Sequence, residues 1–360
     1  MEKSLLKTIN LYLLIFVVFL LSVFDIFRSD KKYSAVTLSE NAFLEPALPS
    51  GRLPWSVRSI DTQVISKHWP KVTRDSVREQ VGLLKDLGVN YIAVDTPYDR
   101  LEDLRVWAEE IHRLGINVWF RSHWTGWEGD EGAPNIMSPE EYLEETGKFI
   151  VNNPNLFLEG DAFTMAVEAE QVGVGIGRKF LTWDEYRDFL LAEIAVANDA
   201  FSEIGLGGKI HTNWLSLNGW VAMNRLTQNL VEKLELIVVD HFVGQSQTFG
   251  ELEDIDTLVG KTVNDLDEIY TKWKKPILLG EWGYQIYQKV SEERQAEVVN
   301  KLFLKLSTKS YLVGVNYWVH MGNSAAIIDD EFGTNLKFRK AADVIRSFYN
   351  PLSLPLGIEP

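Results

Sequence analysis

From about residue 55 the chain alternates short apolar segments with longer amphipathic ones. SVRSID (56–61) leads to RDSVREQVGLLKDLG (74–88), where Val77, Val81, Leu84 and Leu87 recur every three or four residues. That spacing places them on one face of a helix. The same alternation continues through VNYIAVD (89–95) with 100–115, INVWFRSH (116–123) with 138–153, and DAFTMAVEAE (161–170) with 182–205. It runs on through GKIHTNW (208–214) with 221–233, LELIVVDHF (234–242) with 255–273, PILLGEW (276–282) with 291–308, and YLVGVNYWV (311–319) with 335–350. Ser138 and Pro139 stand where an N-cap and a first helical residue are wanted. Eight strand-then-helix units predict a parallel sheet with helices outside it. Their number and length match an α/β (β/α)8 TIM barrel over residues 54–350. A doubly wound open sheet is the alternative. It calls for a Gly-rich phosphate loop after an early strand, and no GxGxxG or Walker pattern sits there. VGVGIG (172–177) reads as a loop, and no cofactor is expected.

The N-terminus departs from this rhythm. Residues 8–24, TINLYLLIFVVFLLSVF, carry no charge, with Lys3 and Lys7 before them. A bilayer span needs roughly 20 apolar residues, about 17 at the short end. The run ends in SVFDIF, which lacks the small residues of a cleavage site. Residues 1–28 are therefore expected to form a signal anchor or transmembrane helix, with a cleaved signal peptide as the alternative. Residues 29–53 read as a linker and 351–360 as a tail. The expected location is membrane-anchored with the barrel extracytoplasmic, or secreted.

Composition narrows the partners. Apolar residues make up 46% of the chain, so a large core is available. Lys plus Arg number 36 against 51 Asp plus Glu, a net charge of −15, which repels nucleic acid. There is no cysteine, which removes thiolate chemistry and disulfides.

In such a barrel, chemistry sits at the C-terminal ends of the strands. Those ends carry Arg58 and Asp61; Asp95; Arg121, His123 and Trp124; Glu168 and Glu170; His211, Asn213 and Trp214; Asp240 and His241; Glu281 and Trp282; and Asn316, Trp318 and His320. Trp127 and Trp220 fall in adjoining loops, whereas Trp107 and Trp273 fall on helices and suit the core. Flat indoles around carboxylates suit pyranose rings, whose C–H faces stack while their hydroxyls seek hydrogen bonds. The segment ILLGEWGY is notable because a buried apolar strand ends on Glu281, between Gly280 and Gly283. Both glycines suit a strand end where backbone or ligand comes close.

With a Glu-bearing fourth-strand end and ILLGEWGY on the seventh, the chain resembles the clan A, cellulase-like (β/α)8 glycoside hydrolases. The resemblance covers about 55–350, through element order more than identity. It implies an acid/base glutamate at Glu168 or Glu170 and a nucleophile at Glu281. It also implies a supporting role for His241 and a sugar floor at Trp318. The clan's acid/base usually follows an Asn; here Val167 precedes Glu168. On an extended strand residues 168 and 170 share a side, so spacing leaves both open. Arg58 or Arg121 would keep Glu281 ionised. Asp61, His123, Trp124, Trp127, Asn213, Trp214 and Trp282 complete the expected substrate-binding set. The expected reaction is retaining hydrolysis of a β-linked oligo- or polysaccharide. Two alternatives stand beside it: a tethered carbohydrate-binding barrel without turnover, and a metal-dependent barrel hydrolase using His123, His211, Asp240, His241 and His320.

Overall fold

The computed structural model describes residues 55–69, 72–129, 137–176, 178–241, 253–286, 290–330 and 336–350. The expected N-terminal helix, linker and C-terminal tail lie outside the described residues. Among the described residues no helix is long and apolar enough to cross a membrane.

Eight parallel strands form one sheet: β1 (Val57–Asp61), β2 (Tyr91–Val94), β3 (Asn117–Phe120), β4 (Ala162–Phe163), β5 (Ser216–Asn218), β6 (Ile237–Asp240), β7 (Ile277–Trp282) and β8 (Leu312–Tyr317). Neighbours run β4-β3-β2-β1-β8-β7-β6-β5. The ring closes where Ala162 of β4 bridges His211 in parallel, with the Phe163 N–H donating to the His211 carbonyl at 3.0 Å. Around it lie α1 (Gln63–His68), α2 (Arg74–Asp86), α3 (Leu101–Arg113), α4 (Pro139–Asn152), α5 (Trp183–Glu203), α6 (Gly219–Asn224), α7 (Gln228–Lys233), α8 (Ile255–Trp273), α9 (Glu292–Leu306) and α10 (Lys340–Tyr349). A small antiparallel pair, β9 (Ile328–Asp330) with β10 (Leu336–Phe338), follows β8.

The strands are apolar on both faces because each face meets a core. Val57, Tyr91, Ala93, Trp119, Ala162, Trp214, Val238 and Leu278 fill the barrel interior. The alternate positions, among them Ile60, Ile92, Val118, Phe120, Val239, Leu279 and Val315, join the larger core beneath the helices. The α2 face foreseen in the sequence is there: Val77, Val81, Leu84 and Leu87 are all fully buried. Ser138 caps α4 in a capping box with Glu141, with Pro139 at the first turn.

Two strand assignments need correction. The fifth strand is Ser216–Asn218, and within 208–214 only His211 bridges the sheet. Ser216 and Asn218 face the polar top of the barrel, so the strand lacks the apolar run that marks the others. The fourth strand ends at Phe163, and a left-handed Glu168 (φ +40°) opens a 3₁₀ turn over Ala169–Val172. Glu168 and Glu170 are therefore not neighbours on one side of an extended strand.

Candidate active site

Above the apolar filling, the last inward position of several strands is polar. Arg121, directly after β3, lies at the centre, fully buried, with its guanidinium 5.0 Å from the Trp119 ring below. Its Nη2 pairs with Glu281 Oε1 and lies 3.4 Å from Asp240 Oδ2. Its Nε is 3.5 Å from Asp61 Oδ2 and 3.9 Å from Asp95 Oδ1, and Nη1 donates to Ser216 Oγ at 3.0 Å. Asn316 donates to Asp61 Oδ2 at 3.0 Å and to the Gly280 carbonyl at 2.7 Å. One cation thus serves four buried carboxylates. Asp95, Asp240 and Asn316, which the sequence places at strand ends without a role in substrate binding, belong to this layer.

Glu281 reaches Arg121 through an irregularity in β7. In a regular pleat Leu278 faces in, so Gly280 would too and Glu281 would face out. The pairing of β7 shifts register against both β6 and β8 near this point. Such a shift re-aims side chains. Glu281 turns inward while Trp282 joins the outer core. Gly280 is needed here because a Cβ would fall on Val238 and the Asp240 carboxylate. At Gly283 a Cβ would overlap the Trp318 carbonyl oxygen.

Burial sets the electrostatics. It pushes the Glu281 and Asp95 carboxyls well above the usual range and raises Asp61 and Asp240, with Arg121 opposing throughout. Burial works against the Arg121 charge, yet Asp240, Glu281, Asp95 and Asp61 together hold its pKa well above the ordinary value. Glu168 is pushed up to about 8, first by burial and then by the charges of Asp240 and Glu170. Glu168 in turn raises Glu281. Glu170 is raised to about 7 by burial, although both of its oxygens accept hydrogen bonds. The donors are the Asn218 N–H at 2.6 Å and the Tyr186 hydroxyl at 2.9 Å. Glu168 makes one long bond, accepting from Gln171 at 3.2 Å. Glu170 is held on both oxygens, whereas Glu168 keeps unused acceptor capacity.

The remaining expected residues divide by position. Trp318 is half-buried at the end of β8, its Nε1 donating to Gln63 Oε1 at 2.6 Å. His241, at the end of β6, is 2.9 Å from Asp265 Oδ2 through Nε2. His123 follows β3, with Nε2 3.7 Å from Glu128 Oε1. Trp124 is half-buried, edge-on to Tyr98, its Nε1 donating to Thr146 at 3.0 Å.

Five residues lie away from this layer. Arg58 has the opposite parity to Asp61 on β1 and points outward, donating to the Gly88 and Trp55 carbonyls at 3.0 Å. Trp214 plugs the opposite, N-terminal end of the barrel against Tyr91 and Trp119. Asn213 is there too, donating to the Lys233 carbonyl ahead of β6. Trp127 is buried against Tyr142 and Phe189 under α4 and α5. Trp282 is 1% exposed and packs on Tyr317 in the outer core. In their place Trp220, after β5, is 52% exposed at the C-terminal face. Its signal in the sequence is its position two residues after the inward Asn218, past Gly219.

The histidines do not converge. His211 meets Glu235 at the N-terminal end, and His320 is buried behind β1 against Gln80. Burial lowers the His320 pKa to about 3, so its ring is neutral. Among the described residues no group of three or more His, Asp or Glu is arranged to hold a metal ion.

No protein-family model matches the sequence, and no curated protein matches it. Solved structures do match in fold. The β-glucuronidase of Faecalibacterium prausnitzii superposes with a TM-score of 0.59 at 13% identity, covering 86% of this chain and 50% of that one. That of Bifidobacterium dentium, complexed with coumarin-3-O-glucuronide, gives 0.59 at 15% identity, covering 85% and 47%. That of Dictyoglomus thermophilum gives 0.58 at 16% identity, covering 84% and 51%. The chain therefore spans about half the length of these enzymes, and over that half it has the fold of (β/α)8 glycoside hydrolases.

Proposed function

We propose that the protein is a retaining glycoside hydrolase of the clan A type, acting on a β-linked oligo- or polysaccharide. The observation that carries this reading is that Glu281, seated on Arg121 at the end of β7, and Glu168, beyond β4, stand at the same end of the barrel, where the Glu168 charge raises the Glu281 carboxyl. Glu281 Oε attacks the anomeric carbon while Glu168 passes its proton to the leaving oxygen, so one C–O bond forms as the glycosidic bond breaks. Glu168 then takes a proton from water, whose oxygen displaces Glu281 from the same carbon. Arg121 supplies the positive charge that opposes burial at Glu281 and favours its ionised form. A pKa of about 8 keeps Glu168 protonated at neutral pH, as a general acid requires. The left-handed conformation of Glu168 is the kind of strain, about 1–3 kcal/mol, that collects at working sites. Trp318 would floor the sugar. The apolar residues 8–24 would tether the barrel to a membrane with its site extracytoplasmic, or direct its secretion.

The test is turnover by the full chain of aryl β-glycosides, β-glucans, mannans and xylans. Activity should fall on the alkaline side near pH 8, where Glu168 loses its proton. In Glu170→Gln the alkaline limb should move to lower pH, because one negative neighbour that raises Glu168 is gone. Absence of turnover on every substrate, or an unmoved limb in that variant, would count against these roles. Binding without turnover would support the carbohydrate-binding alternative.

A further inference from the structure

Beside the carboxylate layer a cleft of about 290 Å³ opens between the ends of β5 and β6. Asn218, Trp220, Met223, Asp240, His241 and Asp265 line it, and no lysine or arginine does so among the described residues. Trp220 forms one wall. Its indole is stacked by the Arg225 guanidinium at 4.8 Å and tilted against Trp183 at 5.8 Å, yet the residue stays 52% exposed. A half-exposed indole held in this way suits the C–H face of a pyranose.

The polar wall is incomplete. Asp240 and His241 are 1% and 5% exposed, and Asp240 Oδ1 and His241 Nδ1 have no hydrogen-bond partner among the described residues. Buried polar atoms are ordinarily paired, so a ligand group is the natural complement. The His241 Nε2 faces the Asp265 carboxylate at 2.9 Å, which favours the proton on Nε2 and leaves Nδ1 an acceptor. The cleft thus offers the His241 acceptor beside the carboxylates of Asp240 and Asp265, with no cation in its lining.

We propose that this cleft is a subsite for a β-linked amino sugar, its ammonium donating to His241 and held by the negative charge of Asp240 and Asp265 while its ring stacks on Trp220. The proposal rests on the glycoside hydrolase reading and names its substrate class. A uronate would bring further acceptors and negative charge against a wall that already has both. An acetylated amine would keep one donor and lose the charge.

The test is calorimetry of the full chain carrying Glu281→Gln, near neutral pH, with β-linked trisaccharides of glucosamine, N-acetylglucosamine and glucuronate. Thio-linked versions titrated into the unsubstituted chain give the same comparison without relying on the variant's folding. The glucosamine trisaccharide should bind about tenfold more tightly than the other two, the scale of one charge-assisted hydrogen bond. The preference should shrink in Asp265→Asn, and affinity for all three should fall in Trp220→Ala. Equal affinity for amino and acetylated sugars, or tighter binding of the uronate, overturns the proposal. Preferential binding without turnover of any glycoside would keep the subsite and remove the hydrolase reading. Turnover without the preference would do the reverse.

Discussion

Glu281→Gln is expected to lower glycoside turnover by about 10⁴-fold or more while raising the melting temperature. An amide has the shape of the carboxylate but cannot attack the anomeric carbon. The stability effect comes from crowding. Burial, and the charges of Asp240, Glu168 and Asp61, push the Glu281 pKa well above its ordinary range, with only Arg121 opposing. A carboxyl with a raised folded-state pKa binds its proton more tightly in the folded chain than in the unfolded one. It therefore has no effect below the unfolded pKa of about 4.3 and destabilises progressively as pH rises from there toward the folded value. Gln carries no such penalty, so the gap in melting temperature should open between acidic and neutral pH. Thermal denaturation across that range, beside an aryl glycoside assay, measures both effects. A variant that melts below the parent at neutral pH would mean that Arg121 stabilises the charge more than burial opposes it. Retained turnover would remove Glu281 as nucleophile.

The helices and most strands were legible because their apolar periodicity is local. Val77 to Leu87 needs only its own spacing to declare an inner face, and Ser138 with Glu141 caps α4 within one turn. The active face was legible in part through strand counting, which placed Glu281, Asp61 and Arg121 at one end. Parity could have gone further. Asp61 facing inward sends Arg58 outward, since alternate residues of a strand face opposite sides. Parity misleads at Glu281, where only the register shift beside Gly280 turns the side chain in. The tryptophans were less legible, since an indole beyond a strand end is buried or exposed by whatever distant element covers it, and Trp220, expected in a loop, lies on α6. Trp127 is covered by Tyr142 and Phe189, far along the chain, while Trp220 is left open. The fifth strand was missed because its inward residues, Ser216 and Asn218, belong to the polar layer. Its apolar neighbour Trp214 serves the other end of the barrel.

Arg121→Met is expected to be the most destabilising single change in the barrel interior. Met fills much of the same volume above Trp119, so packing loss is small and electrostatics dominate. The guanidinium is fully buried among Asp61, Asp95, Asp240 and Glu281, and it also donates to Ser216. Removing one partner of a buried ion pair costs about 3–5 kcal/mol. Here the carboxylates left behind also repel one another, and they lower that repulsion by taking up protons. The folded variant then binds more protons than its unfolded chain, whose carboxyls titrate near pH 4. Its stability should therefore fall steeply as pH rises and recover as the buffer is acidified. At roughly 2–4 °C per kcal/mol for a domain of this size, the melting temperature should drop by about 10 °C at neutral pH, and by less under mildly acidic conditions. A pH-independent loss would assign the effect to packing. Arg121→Lys should lie between, because an ammonium restores the charge but cannot reach Ser216, Asp240 and Glu281 with one rigid fork.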